Sequence, residues 1–181
     1  MLASHKLFRI KICGVTRLVD AQAAASAGAD AIGLNFFEGS SRFIEKEQAV
    51  AVASAVRSAA KAAEEPPVKL VGVFVNATAD YISDLAIACK LDAIQLHGDE
   101  SAAFAWQVAE RTGAPIIRAF ALQNAGADAV VEFCSLPEAK EHLAAVLIDS
   151  AIPGQFGGTG VTADWEAVSY THLTLPTKRI V

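Results

Sequence analysis

Cysteine is scarce in this sequence. The 181 residues include only Cys13, Cys89 and Cys134, which are odd in number, widely spaced and without a C-x-x-C pair. This set predicts neither a disulfide framework nor a zinc site. Three of the four histidines form no ligand constellation either: His5, His142 and His172. We therefore expect no metal site, and a reducing compartment.

Basic residues and long apolar runs are also few. Fifteen Lys and Arg against 20 Asp and Glu give a net charge of −5, which offers no basic face to nucleic acid or to an anionic membrane. No apolar run reaches the ~18–20 residues of a membrane span, and the N-terminus does not resemble a secretory signal. The sequence predicts one soluble cytoplasmic domain.

What the sequence does have is a regular alternation of two kinds of segment. Six short β-branched runs predict strands at 8–13, 31–37, 69–75, 93–97, 116–120 and 145–149. Alanine-rich stretches between them predict helices at 19–28, 45–65, 77–89, 99–113 and 124–143. This alternation predicts a parallel sheet with helices outside, either doubly wound or a βα barrel.

The two faces of the predicted strands favour the barrel. If alternate apolar residues face the helices, the opposite face is repeatedly polar. Helices would cover that face in a doubly wound sheet, whereas a barrel can gather polar groups inside and at its mouth. The predicted helix-facing residues are Ile10, Ile12, Ile32, Leu34, Ile94, Leu96, Ile117, Val146 and Ile148. The predicted inner residues are Lys11, Cys13, Asn35, Gln95, His97, Arg118, Leu147 and Asp149.

The C-terminal segment breaks the alternation. SYTHLTLPTKRIV (169–181) continues neither the helix begun at 164–168 nor the rhythm before it. Six βα units are also too few for an eight-fold barrel, which typically needs about 250 residues. We expect residues 1–168 to form an incomplete (βα)8 barrel and 169–181 to be a non-native tail.

Two inner residues end strands, which is where active sites form in βα barrels. Cys13 ends the first strand and is followed by Gly14, which permits an abrupt exit of the chain. Asp149 ends the sixth strand. A structural reading stays open for both: a small core thiol, and a carboxylate paired with Lys11 or Arg118.

Other residues are candidates for ligand binding at the same mouth. Arg42 could clamp a carboxylate or phosphate, or it could be a solvated loop residue. Gln95 and His97 lie at the end of the fourth strand, where a histidine is either catalytic or structural. GQFGGTG (154–160) could cover an anion with its backbone N–H groups, or it could be a flexible loop.

Six motifs in order resemble the phosphoribosylanthranilate isomerase family of tryptophan biosynthesis. They are KICGVT (11–16), AGADAIGLNF (27–36), SSRFI (40–44), VGVFVN (71–76), IQLHGDE (94–100) and IDSAIPGQFGGTGVTADW (148–165). The resemblance implies a βα barrel that catalyses a cofactor-independent Amadori rearrangement of a small phosphosugar–anthranilate substrate.

The same resemblance implies roles for individual residues. By this resemblance, Cys13 is expected to be the general base and Asp149 the general acid. Arg42 resembles the residue that holds the anthranilate carboxylate. The remaining predicted substrate-binding residues are Gln95, His97, Gly157, Gly158 and Gly160, the last three in a loop expected to close over the substrate.

Alternative functions stay open at this point. Another phosphosugar isomerase or epimerase would share the barrel but should place a metal or paired carboxylates at its mouth. A non-catalytic metabolite-binding barrel would not need Cys13 or Asp149, and a structural protein would not need so many inner polar residues. Because βα barrels commonly hold phosphate after strands seven and eight, we expect residues 1–181 alone to be inactive. Without those units strand edges and apolar core would stay exposed, so we also expect this chain to be poorly soluble.

Overall fold

The structure is a computed structural model that describes residues 8–63 and 68–149. The strands are β1 (Lys11–Cys13), β2 (Ala31–Asn35), β3 (Lys69–Phe74), β4 (Ala93–Leu96), β5 (Ile116–Ala121) and β6 (Leu143–Asp149). The helices are α1 (Leu18–Ser26), α2 (Lys46–Ala63), α3 (Ala79–Cys89), α4 (Ala102–Thr112), α5 (Leu122–Ser135) and α6 (Ala139–His142).

The six strands form one sheet in chain order, β1-β2-β3-β4-β5-β6, and every neighbouring pair is parallel. Each parallel connection requires a crossover, and a helix supplies it. The sheet curves into half of a βα barrel. The predicted fold class, an incomplete barrel with about six βα units, is confirmed.

The core has two parts, one on each face of the sheet. The larger part packs helices against the outer face, through fully buried residues such as Ile32, Leu70 and Ile94. The smaller part fills the inner face with Ala31, Val71, Ala93 and Ile117, against which Phe8, Ala145 and Leu147 pack. The residues of this smaller apolar cluster lie below the carboxyl ends of the strands. Polar side chains lie at the carboxyl ends themselves.

The predicted orientation of β5 is wrong by one residue. Ile117 belongs to the inner cluster, so the side chain of Arg118 points to the outer face. There Arg118 donates to the carbonyl oxygens of Leu96 and Gly98 and pairs with Glu100. The run IIRAF has apolar residues at both parities, so alternation alone could not fix its orientation. Arg118 is therefore no partner for Asp149 inside the barrel.

Two other predictions need correction. The helix predicted over 124–143 is two helices, because Pro137 follows the end of α5 and cannot donate a helical N–H.

Ile10 and Ile12 lie on the outer side of the first strand, but they are 46% and 41% exposed. Leu18 and Val19 of α1, the helix that follows this strand, are also exposed.

No helix in the part of the chain that the structure describes is long and apolar enough to cross a membrane.

Candidate active site

The polar residues of the inner face meet at the carboxyl ends of the strands. Cys13 is the last residue of β1 and Asp149 is the last residue of β6, on opposite sides of the half-barrel. Gln95 lies in β4 between them, and His97 follows directly after that strand. Lys11, two residues before Cys13, faces the same way because strand side chains alternate.

A continuous series of contacts joins the two strand ends. The Lys11 Nζ atom lies 3.5 Å from the Cys13 Sγ and donates to the Gln95 Oε1 at 2.5 Å. The Gln95 Nε2 lies 3.1 Å from the His97 Nδ1. The His97 Nε2 lies 3.0 Å from the Asp149 Oδ2. Four contacts therefore connect the thiol to the carboxylate across the inner face.

The centre of this series is buried, and its ends reach solvent. Lys11 is 7% exposed and Gln95 is 2% exposed, whereas the side chains of His97 and Asp149 are about one-fifth exposed. Cys13 is exposed. A buried ammonium needs hydrogen-bond partners, and Gln95 supplies one. The groups that could react with a ligand are thus the ones that reach solvent.

Gly33 makes room for the thiol, and sequence analysis did not identify it. Gly33 pairs with Cys13 in the β1–β2 register. A Cβ atom at this position would lie 2.8 Å from the Cys13 Sγ and 3.0 Å from the Lys11 Cε. The only sequence signal was a glycine inside a predicted strand, which often marks a close approach.

Arg42 reaches the end of β1 by lying across Gly14. Gly14 has a φ of +76°, and a Cβ there would lie 2.5 Å from the Arg42 Cδ. The Arg42 Nη1 donates to the carbonyl oxygen of Cys13 at 3.5 Å. Within the described residues no carboxylate pairs with Arg42, and its side chain is exposed. It is therefore placed beside Cys13 as a cation open to an anionic ligand.

The other two cysteines differ from Cys13 in their surroundings. Burial raises the pKa of the Cys89 thiol in α3 and of the Cys134 thiol in α5. Neither lies near the carboxyl ends of the strands. In the described ranges no group of three His, Cys, Asp or Glu side chains is placed to hold a metal ion.

The structure thus brings five predicted site residues to one edge: Cys13, Arg42, Gln95, His97 and Asp149. Gly157, Gly158 and Gly160 lie outside the described residues, as does the predicted tail 169–181. The fold and the site together define a class: a βα-barrel protein with a thiol and a carboxylate facing one mouth, an arrangement suited to proton transfer.

Comparison with known proteins gives the family within this class. The family model described as N-(5'-phosphoribosyl)anthranilate (PRA) isomerase matches residues 10–180. The chain belongs to this family, whose members are isomerases of tryptophan biosynthesis.

One relative is the N-(5'-phosphoribosyl)anthranilate isomerase of Magnetococcus marinus, which is 41% identical over 172 residues. The match covers 93% of this chain and 71% of the relative.

Solved structures of the family show the same fold. The phosphoribosyl anthranilate isomerase of Thermotoga maritima is 33% identical, with a TM-score of 0.68 over 89% of this chain and 70% of that chain. The enzyme of Thermus thermophilus is 34% identical, with a TM-score of 0.60 over 81% of this chain. The present chain spans only 64% of that structure.

A third structure of the family holds a ligand. It is a phosphoribosyl anthranilate isomerase in complex with reduced 1-(o-carboxyphenylamino)-1-deoxyribulose 5-phosphate. It is 26% identical to this chain, with a TM-score of 0.53 over 83% of this chain and 92% of that chain.

Proposed function

We propose that this chain carries the acid–base site for the reaction that gives its family its name. The reaction converts N-(5'-phosphoribosyl)anthranilate to 1-(2-carboxyphenylamino)-1-deoxyribulose 5-phosphate without a cofactor. The observation that carries the proposal is that Cys13 and Asp149 face the same mouth and are joined by one series of contacts. The ligand in the third family structure is the reduced form of the product, which supports the same substrate class.

Asp149 acts first, as the general acid. It gives a proton to the ring oxygen of the ribose while the bond from that oxygen to C1′ breaks. The lone pair of the anthranilate nitrogen, which keeps its hydrogen, forms the C=N bond of a protonated open-chain Schiff base as the C–O bond electrons leave with oxygen. A carboxyl group placed within hydrogen-bond reach of the leaving oxygen is the usual donor for such a step.

Cys13 acts second, as the general base. Its thiolate removes the proton on C2′, and the C–H electrons form the C1′–C2′ double bond of an enolamine while the C=N electrons return to nitrogen. The enolamine then becomes the ketone by losing its hydroxyl proton and gaining a proton on C1′. Atoms and electrons balance, so the product is an isomer of the substrate.

Lys11 supports the base. Its ammonium lies 3.5 Å from the Cys13 Sγ, so a negative charge on sulfur would lie beside a positive one. Cations close to a cysteine favour the thiolate, which is the reactive form.

Arg42 fits the carboxylate of the anthranilate ring. It is an exposed cation beside the carbonyl oxygen of Cys13, and a guanidinium can bind a carboxylate through two parallel hydrogen bonds. We assign Gly157, Gly158 and Gly160 to a loop that covers the substrate, on the resemblance alone. The same proposal expects phosphate to be held by units beyond those that the structure describes.

A growth experiment tests the proposed function. A strain that lacks this isomerase is supplied with residues 1–149 fused to the C-terminal remainder of the Magnetococcus marinus relative. The fusion should restore growth without tryptophan. Cys13→Ala and Asp149→Asn in the fusion should abolish that growth, whereas the control Cys134→Ala should keep it. Growth with either site variant at the wild-type rate would refute the assigned roles.

A further inference from the structure

We propose that Lys11, Gln95 and His97 form a hydrogen-bond chain of fixed direction, which holds His97 as its neutral Nε2–H tautomer and aims that proton at Asp149. In this proposal Gln95 and His97 are positioning residues, and not the substrate contacts predicted from the sequence. The inference rests on the proposed function of Asp149 and extends it to the residues behind the carboxyl group.

The direction of the chain is set at Lys11. An ammonium group has three donors and no acceptor, so the atom of Gln95 that it meets at 2.5 Å must be the amide oxygen. This contact is 2.5 Å long and Gln95 is 2% exposed, so water cannot replace either partner freely. The orientation of the Gln95 amide is therefore fixed.

The orientation of Gln95 then fixes the tautomer of His97. With its oxygen turned to Lys11, Gln95 presents its NH2 group to the His97 Nδ1 at 3.1 Å. An NH2 group only donates, so Nδ1 must accept and carry no proton. The proton of a neutral imidazole is then on Nε2, which lies 3.0 Å from the Asp149 Oδ2 and donates to it.

A protonated His97 does not suit this arrangement. An imidazolium donates from both nitrogens, so its Nδ1–H would oppose the NH2 group of Gln95. Turning the Gln95 amide would relieve that conflict, but it would set an NH2 group against the Lys11 ammonium. The contact between His97 and Asp149 is therefore a hydrogen bond from a neutral ring and not an ion pair.

The hydrogen-bond chain contributes to both the acid step and the base step of the reaction. At one end the Nε2–H of His97 orients Asp149 and stabilises the carboxylate left after the proton has gone to the substrate. At the other end the Lys11 ammonium stabilises the Cys13 thiolate. Gln95 takes no part in proton transfer, but it joins the two ends and orients the Lys11 ammonium and the His97 ring.

Nuclear magnetic resonance of the fusion tests the tautomer without any assay of activity. The ¹⁵N shifts of the His97 ring should show a proton on Nε2 and none on Nδ1. In Gln95→Glu a carboxylate would face Nδ1, which should then become protonated. The control Gln107→Glu makes the same change on an exposed face of α4 and should leave the ring unchanged. A His97 ring protonated on Nδ1 in the unsubstituted protein would refute the proposed hydrogen-bond chain.

Steady-state kinetics of the fusion separate positioning from substrate binding. Gln95→Glu and His97→Leu should lower kcat by about 10–100-fold, the range typical of partners that orient a reactive group, with KM changed by less than about 2-fold. His97→Gln keeps an N–H donor towards Asp149 and should recover part of the loss. A raised KM with unchanged kcat would make both residues substrate contacts and overturn the proposal.

The two proposals fail in different ways. If Asp149 is not the acid, Asp149→Asn keeps its turnover whatever the tautomer of His97. If the proposed hydrogen-bond chain is wrong, the ring of His97 is protonated on Nδ1, or Gln95→Glu leaves the ring and kcat unchanged. Asp149→Asn is still inactive in that case.

Discussion

At the scale of single residues, three cysteines with the same chemistry differ in what surrounds them. Cys13 is exposed and has an ammonium 3.5 Å from its sulfur. Cys89 is buried, and burial raises the pKa of both Cys89 and Cys134. Because the thiolate is the nucleophile, a raised pKa slows alkylation near neutral pH. The structure therefore distinguishes one exposed thiol beside a cation from two thiols whose surroundings raise their pKa.

Alkylation of the native chain checks this difference. With iodoacetamide at neutral pH, mass spectrometry should find Cys13 modified first, and all three cysteines modified only after denaturation. Lys11→Met should slow the labelling of Cys13 because the nearby cation is lost. Lys69→Met, which removes an exposed lysine at the start of β3, should not slow it. Labelling of Cys89 or Cys134 as fast as Cys13 would contradict the description of the site.

Sequence reasoning at this scale found residues by their position on strands. Cys13 and Asp149 could be predicted because strand ends and parity place them at one mouth. Gly33 could not, because its role depends on the register that sets it opposite Cys13. The contacts of Gln95 and His97 could not be predicted either, because their partners Lys11 and Asp149 are distant from them in sequence.

At the scale of elements, the segment after β4 is held by a buried ion pair. The side chains of Arg118 and Glu100 are 8% and 3% exposed, and their charged atoms lie 3.5 Å apart. Glu100 accepts from the backbone N–H groups of Asn76 and Gly98. Arg118 donates to the carbonyl oxygens of Leu96 and Gly98. The pair thus fixes the backbone on both sides of His97.

Breaking this pair should be costly. Desolvation lowers the pKa of Arg118, while the charges of Glu100 and Asp99 oppose that change, so each partner depends on the other. Arg118→Met should lower the free energy of unfolding by about 3–5 kcal/mol, because it leaves a buried carboxylate without its partner. Urea denaturation measures this change.

An exposed pair provides the matched control. Arg111 and Asp80 join α4 to α3 with side chains 42% and 84% exposed. Arg111→Met should change the free energy of unfolding by less than about 1 kcal/mol, as is usual for surface pairs. Equal effects of the two substitutions would show that the Arg118 pair does not hold the segment after β4.

Sequence patterns predicted the elements better than their orientation. All six strands and the alternation with helices are confirmed, because a buried parallel strand needs a continuous apolar run and each crossover needs a helix. The break in the last predicted helix followed from Pro137 and could have been read from the sequence. The orientation of β5 could not, because the burial of Arg118 depends on partners outside its own strand: Leu96 of β4, and Gly98 and Glu100 in the segment that follows β4.

At the scale of the whole molecule, the described strands form an arc with β1 and β6 at its two ends. Cys13 and Asp149 belong to these two end strands, so the proposed acid and base come from the elements most distant along the sheet. The inner series of contacts through β4 is what relates them within the described residues. The chain spans 71% of the Magnetococcus marinus relative, and the proposed activity is therefore best measured in the fusion with that relative.

The central claim is that Cys13 and Asp149 act as one base and one acid in successive steps of a single isomerisation. The most direct test is the kcat of the fusion with Cys13→Ala, with Asp149→Asn and with both. Each single substitution should lower kcat by about 10²–10⁴-fold. The double variant should fall little further than the worse single variant, because the slower of two successive steps limits kcat and the two losses therefore do not multiply. Near wild-type turnover in either single variant, or a double effect equal to the product of the two, would contradict the account.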